Sequence, residues 1–225
     1  MTLDRNTAGV LALLFAVGVG TLVGHTNAQT KASASSSQAS VDVQRRAAGD
    51  FKRLVDLQMA LRKIPWNKQN KEPYKSLVKK NAKLVIYSDP SAEYYVLAKL
   101  FWDLQKKYKN LPIAEDIAWA AARNPLPGEC EGFVDCNFYI IRSTDAQYLN
   151  LYPNGKHRKM ALKEIADHLA LMSTERSSYT GPSNPAEKAD FAKVVDEIKT
   201  ILSRVSDPGR ERPLALIDQV AAAFN

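Results

Sequence analysis

The sequence predicts an all-α fold: a single domain of about seven or eight helices, arranged as a bundle or a short helical array. Three observations point there. Apolar residues recur at spacings of three and four along most of the chain. Start signals such as Asp or Asn before Pro, and stops at Pro or Pro-Gly, bracket those stretches. Strand-like alternation hardly occurs, and the connections between helical stretches are short, as in a packed helical domain.

Residues 8 to 24, AGVLALLFAVGVGTLVG, form an uncharged apolar run behind Arg5. Thr26 and Ala28 follow as the small residues that precede a signal-peptidase cut, so residues 1 to 28 are predicted to be a bacterial secretory signal peptide. The alternative is an uncleaved anchor, which this 17-residue run permits only marginally, because a spanning helix wants about 20 apolar residues. No lipobox cysteine follows. Residues 29 to 40, rich in Ser and Ala, read as a flexible linker, and the helical domain is expected over residues 41 to 225. The predicted location is therefore periplasmic or extracellular, with the N-terminus as a membrane tether if it is retained.

Residues 41 to 63 predict the first helix of the domain, with Phe51, Leu54, Val55, Met59 and Leu61 as its apolar face and Pro65 as its stop. YKSLVKKNAKLVIYS, residues 74 to 88, predicts a second. Asp89 as N-cap and Pro90 at the first helical position predict a third, with Tyr94, Leu97, Leu100, Phe101, Leu104 and Tyr108 at helical spacing and lysines at its negative end. LPIAEDIAWAAARNP holds a short helix between Pro112 and Pro125. CNFYIIRS, residues 136 to 143, is an apolar run short enough for strand or helix, and its surroundings favour helix. The next stretch reads as helix, Pro-Asn-Gly turn, helix. Asn184, Pro185 and Glu187 form a start of the capping-box type for a helix carrying Phe191, Val195, Ile198 and Leu202, which stops at Asp207-Pro208-Gly209. A last helix follows with Pro213, Ile217, Val220 and Phe224.

The only cysteines, Cys130 and Cys136, sit in NPLPGECEGFVDCNF with Glu129, Glu131 and Asp135 close by. The lack of a second cysteine pair argues against zinc, and the five intervening residues with no βαβ context argue against thioredoxin-like chemistry. A structural disulfide is the expectation, stabilising this small loop by on the order of 2 kcal/mol. Glu129 and Glu131 are the residue type that glycoside cleavage requires in pairs, but acids in an exposed turn are ordinarily only solvated. His157, Glu164 and His168 share a helix face, yet the two histidines are roughly 16 Å apart along the axis, too far for one metal. Glu164 and His168 alone are too few ligands. No nucleophile elbow, P-loop or dinucleotide glycine pattern is present, so no cofactor, no metal and no catalytic residue is assigned.

Within YLNLYPNGKHRKMALKEI, residues 148 to 165, the positions Tyr148, Leu149, Tyr152, Pro153, Gly155 and Ala161 carry a partial resemblance. The stretch resembles the helix-turn-helix unit of bacterial extracytoplasmic tetratricopeptide-like proteins. That resemblance implies a partner-binding scaffold, with no catalytic residues to carry over.

Charge says more than any motif. The chain carries a formal net charge of +7. Between Arg45 and Lys83 twelve Lys and Arg stand against three acids, Asp50, Asp56 and Glu72, so the imbalance is local. Lys75, Lys79 and Lys83 are predicted to form one helix stripe near Trp66 and Tyr74, an arrangement able to meet an acidic partner by charge and by aromatic contact. In an envelope compartment that partner is an acidic protein, an anionic polymer or lipid headgroups. Nucleic acid has matching electrostatics but the wrong compartment. A membrane enters as a tethering site only if the N-terminal run is uncleaved. The expectation is thus an exported, non-enzymatic binding or scaffolding protein of the bacterial cell envelope. The rival is a cell-wall or polysaccharide hydrolase using Glu129, Glu131 or Glu115, and a solvated basic face with no ligand is the third possibility.

Overall fold

The computed structural model describes residues 27 to 128, 130 and 132 to 224, with side chains from Ser40 onward. The predicted signal peptide up to residue 26, and both Glu129 and Glu131, lie outside the described residues. The chain falls into two units, residues 1 to 41 and 42 to 225. The second is an all-α domain with one small hairpin, as the sequence predicts in the main.

Helix α1 (Asn27–Leu61) takes in residues 29 to 40, where the sequence predicts a linker; that stretch contains neither Pro nor Gly, so nothing in it breaks a helix. Past residue 42, α1 buries Ala47, Leu54, Leu57 and Leu61, and Phe51 and Val55 are half-buried. Met59, predicted as part of the apolar face, is instead 49% exposed, and Leu57 takes the core position. Pro65 precedes a single 3-10 turn at Trp66–Lys68.

The next segment corrects the predicted second and third helices. Helix α2 (Tyr74–Lys80) is only two turns long. Val85–Ser88 (β1) and Glu93–Val96 (β2) then form an antiparallel hairpin, with Val85 opposite Val96 and Ser88 opposite Glu93. Asp89 and Pro90 occupy the hairpin turn rather than a helix start, and the following helix, α3 (Ala98–Lys107), begins nine residues after Asp89. The physical reason is composition: Val85, Ile86, Tyr87, Tyr94, Tyr95 and Val96 are β-branched or aromatic residues on both sides of a turn that Asp-Pro serves as well as it serves an N-cap. Buried polar groups fix the hairpin to the helices. The Val96 amide donates to Gln58 Oε1 (2.8 Å), and the Asn124 side chain donates to the Val96 carbonyl (2.7 Å).

From α4 (Ala114–Ala122) onward the predicted elements stand. They are α5 (Val134–Ser143), which includes residues 136 to 143 as helix, α6 (Asp145–Leu151), α7 (Arg158–Thr174), α8 (Pro185–Ser203) and α9 (Glu211–Phe224). Asn184 caps α8 by accepting the Glu187 amide (3.0 Å), and Glu187 reaches back to the Ser183 amide (2.7 Å), one residue earlier than a simple capping box. The largest core joins α4 through α9 around Phe138, Tyr148, Leu149, Leu169, Phe191, Ile198 and Ile217, all fully buried. A second core gathers Leu54, Leu61, Ile64, Val96 and Phe101 from α1, the hairpin and α3.

Cys130 and Cys136 are paired, their Cα atoms 5.3 Å apart, at the entrance to α5. Strand-like contacts reinforce this loop: the Val134 amide donates to the Thr180 carbonyl (3.0 Å), and the Thr180 amide to the Gly132 carbonyl (2.8 Å). Gly132 adopts φ +86°, and a Cβ there would lie 2.7 Å from the Ser178 carbonyl oxygen, so this crossing requires glycine.

Candidate functional site

The basic segment is held out from the core. Residues 62 to 83 carry eight Lys and Arg against the single acid Glu72, and Ile64 is their one buried member. None of Arg62, Lys63, Lys68, Lys71, Lys75, Lys79, Lys80 or Lys83 makes an ion pair among the described residues. Elsewhere many cations are paired within the domain, as in Lys107 with Asp50 (2.9 Å), Arg142 with Glu197 (2.8 Å) and Arg158 with Asp207 (3.2 Å), although Arg53, Lys106, Lys109, Lys159, Lys188 and Lys193 also make no ion pair among the described residues.

Successive turns set the spacing of the lysines. The Lys71 amide donates to the Lys68 carbonyl (2.9 Å) and the Lys75 amide to the Lys71 carbonyl (3.0 Å), and α2 then places Lys75 and Lys79 on one face. Lys83 lies in the turn beyond α2, because the helix ends at Lys80 and not at the predicted residue 88. Upstream in the chain, Lys71 and Lys68 continue this series from the turns that precede α2, and both are exposed, as Lys75 and Lys79 are. The sequence held the signal for the two missed lysines, since their spacing continues that of Lys75 and Lys79 upstream. Trp66 is 78% exposed, whereas Tyr74 is half-buried against the second core. Gln69 donates to the Ala92 carbonyl, tying this segment to the hairpin turn.

The other candidate residues do not converge. Glu115 Oε1 accepts from the Tyr148 hydroxyl (2.7 Å) and from the Lys156 amide (2.6 Å), and the Tyr148 hydroxyl accepts the His157 amide (3.0 Å). Burial, then the hydrogen bond to Glu115, pushes the Tyr148 hydroxyl well above its ordinary range. Glu115 thus fastens the Pro-Asn-Gly turn to α4. Gly155 lies so close that a Cβ would come within 2.4 Å of the Tyr148 hydroxyl. His157 precedes α7 and stacks on Trp119 at 4.7 Å. His168 Nε2 meets the Asn137 side-chain oxygen at 2.8 Å, and burial holds its pKa below the ordinary value. Glu164 faces Arg123 at 3.5 Å. Among the described residues no group of three or more His, Cys, Asp and Glu is placed to hold a metal ion.

Arg123 forms a junction that the sequence did not reveal, since its partners come from three helices. Its guanidinium lies 3.3 Å from Asp145, 3.5 Å from Glu164 and 5.5 Å from the Trp119 ring centroid. Burial outweighs the Arg123 charge at Asp145 and, with help from Glu164, pushes its carboxyl up to about 7.

Two adjoining grooves run beside α3. One, of about 470 Å³, is mainly apolar, with Leu126, Cys136, Tyr139 and Ile140. The other, of about 540 Å³, shares Trp102 and Ser143 with it and adds Lys106, Lys109 and Arg142. Among the described residues the single carboxylate lining either of them, Asp103, is paired with Lys99. A third depression, between α6 and α8, holds Asp196 and Glu197 side by side, with Glu197 paired to Arg142. Among the described residues these grooves bring no acid and base face to face across a substrate, whereas the lysines of the basic segment are exposed and make no ion pair.

No protein-family model matches this chain, and neither the curated proteins nor the solved structures contain a match.

Proposed function

We propose that the protein is an exported, non-enzymatic binding or scaffolding protein of the bacterial cell envelope, and that residues 62 to 83 present its contact surface to an acidic partner. The observation that carries this reading is the set of eight cations without an ion pair among the described residues, beside an exposed Trp66. Desolvating a cation already paired within the fold loses that pair, so unpaired cations are the cheaper ones to bring to a new anion. Export rests on the apolar run, the small residues before Ala28 and the paired cysteines. Among the described residues no helix is long and apolar enough to cross a membrane. The resemblance of residues 148 to 165 to extracytoplasmic tetratricopeptide-like units favours a scaffold.

Titration with fluorescent polyglutamate tests the reading. Wild type is expected to bind with an affinity that falls steeply as salt rises, because screening shortens to a few ångströms near 1 M. The variant Lys71→Glu/Lys75→Glu/Lys79→Glu is expected to lose at least about tenfold at low salt, on the scale of one 1.4 kcal/mol step. Equal binding by the two proteins would contradict the proposal.

The hydrolase remains the second reading, with Glu129 and Glu131 as its acids. Glu115 is the less suitable member of that set, since its Oε1 already accepts two hydrogen bonds. Release of reducing ends from cell-wall polymer by wild type, lost in a folded Glu129→Gln/Glu131→Gln variant, would establish it.

A further inference from the structure

We infer that the acidic partner of the 62–83 surface is an anionic lipid bilayer, on which the protein sits peripherally with the Trp66 ring in the headgroup layer and the lysine row above the phosphates. The inference rests on the preceding reading of this surface as an acid-binding one, and it names the partner.

Three features favour a bilayer over an acidic protein or a soluble polymer. First, Trp66 projects. It is 78% exposed on a single 3-10 turn, makes no ring or cation contact among the described residues, and lines none of the grooves described above. Indole has an apolar body and one N–H donor, and it partitions to membrane interfaces where one edge is apolar and the other wet. A protein partner would need a matching pocket for it, whereas a bilayer deforms around it.

Second, cations flank the ring on both sides in the chain, with Arg62 and Lys63 before it and Lys68 and Lys71 after it. Long lysine stems let the ammonium groups reach phosphate oxygens while the backbone stays above them. Each cation near an anionic surface adds to the attraction, and the effect dies within a Debye length of about 8 Å at physiological salt, so only a shallow contact of this kind uses all of them.

Third, the backbone of this segment is fixed before binding. Consecutive hydrogen bonds run from Pro65 to Lys68, Lys71 and Lys75, and the Gln69 side chain is bonded to the hairpin turn. Little ordering entropy is then lost on contact.

The test compares sedimentation of the full chain with vesicles of phosphatidylcholine alone and with vesicles of equal parts phosphatidylglycerol and phosphatidylcholine. The readout is the ratio of the two affinities, which cancels any contribution from the apolar N-terminal run. The ratio is expected to exceed about tenfold at low salt and to collapse at about 0.5 M salt. Trp66→Ala is expected to weaken binding to the anionic vesicles roughly tenfold, the loss of one indole from an interface, and to weaken polyglutamate binding far less. Brominated lipid is expected to quench wild-type tryptophan emission and to quench Trp66→Phe far less, since Trp102 and Trp119 are packed against the cores. Binding to polyglutamate without preference for anionic vesicles would overturn the lipid inference and leave the acid-binding surface standing. Binding to neither would overturn both. Unchanged vesicle affinity in Trp66→Ala would also overturn the inference.

Discussion

Helices α2 and α7 each present a row of basic residues, yet they use them oppositely. In α7 six residues are buried, Ala161, Leu162, Ile165, Ala166, Leu169 and Met172, and two of its three Lys and Arg close ion pairs within the domain, Lys163 with Asp167 and Arg158 with Asp207, leaving Lys159 without one among the described residues. In α2 no residue is fully buried, and Lys75, Lys79 and Lys80 have no ion-pair partner among the described residues. The contrast separates charge that the fold uses from charge that it leaves available. Sequence composition alone does not make this distinction, because both helices read as amphipathic and basic.

The largest expected effect breaks the packed side. Leu169→Ala removes a fully buried side chain at the centre of the main core and is expected to lower stability by about 3 kcal/mol, whereas Leu77→Ala in α2, half-buried, should lose no more than about 1 kcal/mol. Urea unfolding followed by circular dichroism reads both. Next is the turn that Glu115 fastens. Gly155→Ala places a methyl group against the Tyr148 hydroxyl and Glu115, and overpacking of this kind should destabilise by about 2 kcal/mol. A similar loss at Gly49, where a Cβ meets nothing within 4 Å, would contradict the steric account.

The third prediction concerns pH. Asp145 has a carboxyl raised from 3.8 to about 7 by burial, so between those values the folded state holds a proton that the unfolded state has released. Its contribution therefore lowers stability as pH rises from about 4 to about 7, and the penalty is complete above that. Asp145→Asn should remove this component of the slope. Arg123→Met should cost about 1–2 kcal/mol at pH 8 and less at pH 5, because it is the ionised carboxylate that loses its partner; half-exposure of Arg123 keeps the figure below that of a fully buried pair. Equal losses at the two pH values would show that Asp145 does not titrate in this window. The smallest expected effect on stability belongs to the basic segment: Lys71→Glu/Lys75→Glu/Lys79→Glu should shift unfolding by no more than about 0.5 kcal/mol.

The helices from α4 to α9 were legible because caps, prolines and apolar spacing agree there, as at Asn184, Pro185 and Phe191. The cysteine pair was legible from its count and spacing. The hairpin was not, since Asp89-Pro90 is equally good chemistry for a helix start and for a β-turn. What decides between them is the run of β-branched and aromatic residues on both flanks, from Val85 to Tyr87 and from Tyr94 to Val96. That error carried into the site: a helix drawn through residue 88 put Lys83 on the stripe and hid Lys68 and Lys71. The Arg123 junction was beyond reach, because Asp145 and Glu164 meet it only through the packing of α4, α6 and α7.

The central claim is that the α2 cations, without an ion pair among the described residues, are available to a partner while Arg158 and Lys163 of α7 are engaged within the fold. Matched charge reversals test it most directly, with polyglutamate affinity and thermal unfolding measured on the same samples. Lys75→Glu/Lys79→Glu is expected to lose affinity and keep the wild-type melting temperature. Arg158→Glu/Lys163→Glu is expected to lower the melting temperature by several degrees, at about 2–4 °C per kcal/mol for a domain of this size, and to retain affinity wherever it is folded. Equal loss of affinity in both variants, or loss of stability in the α2 variant, would contradict the account.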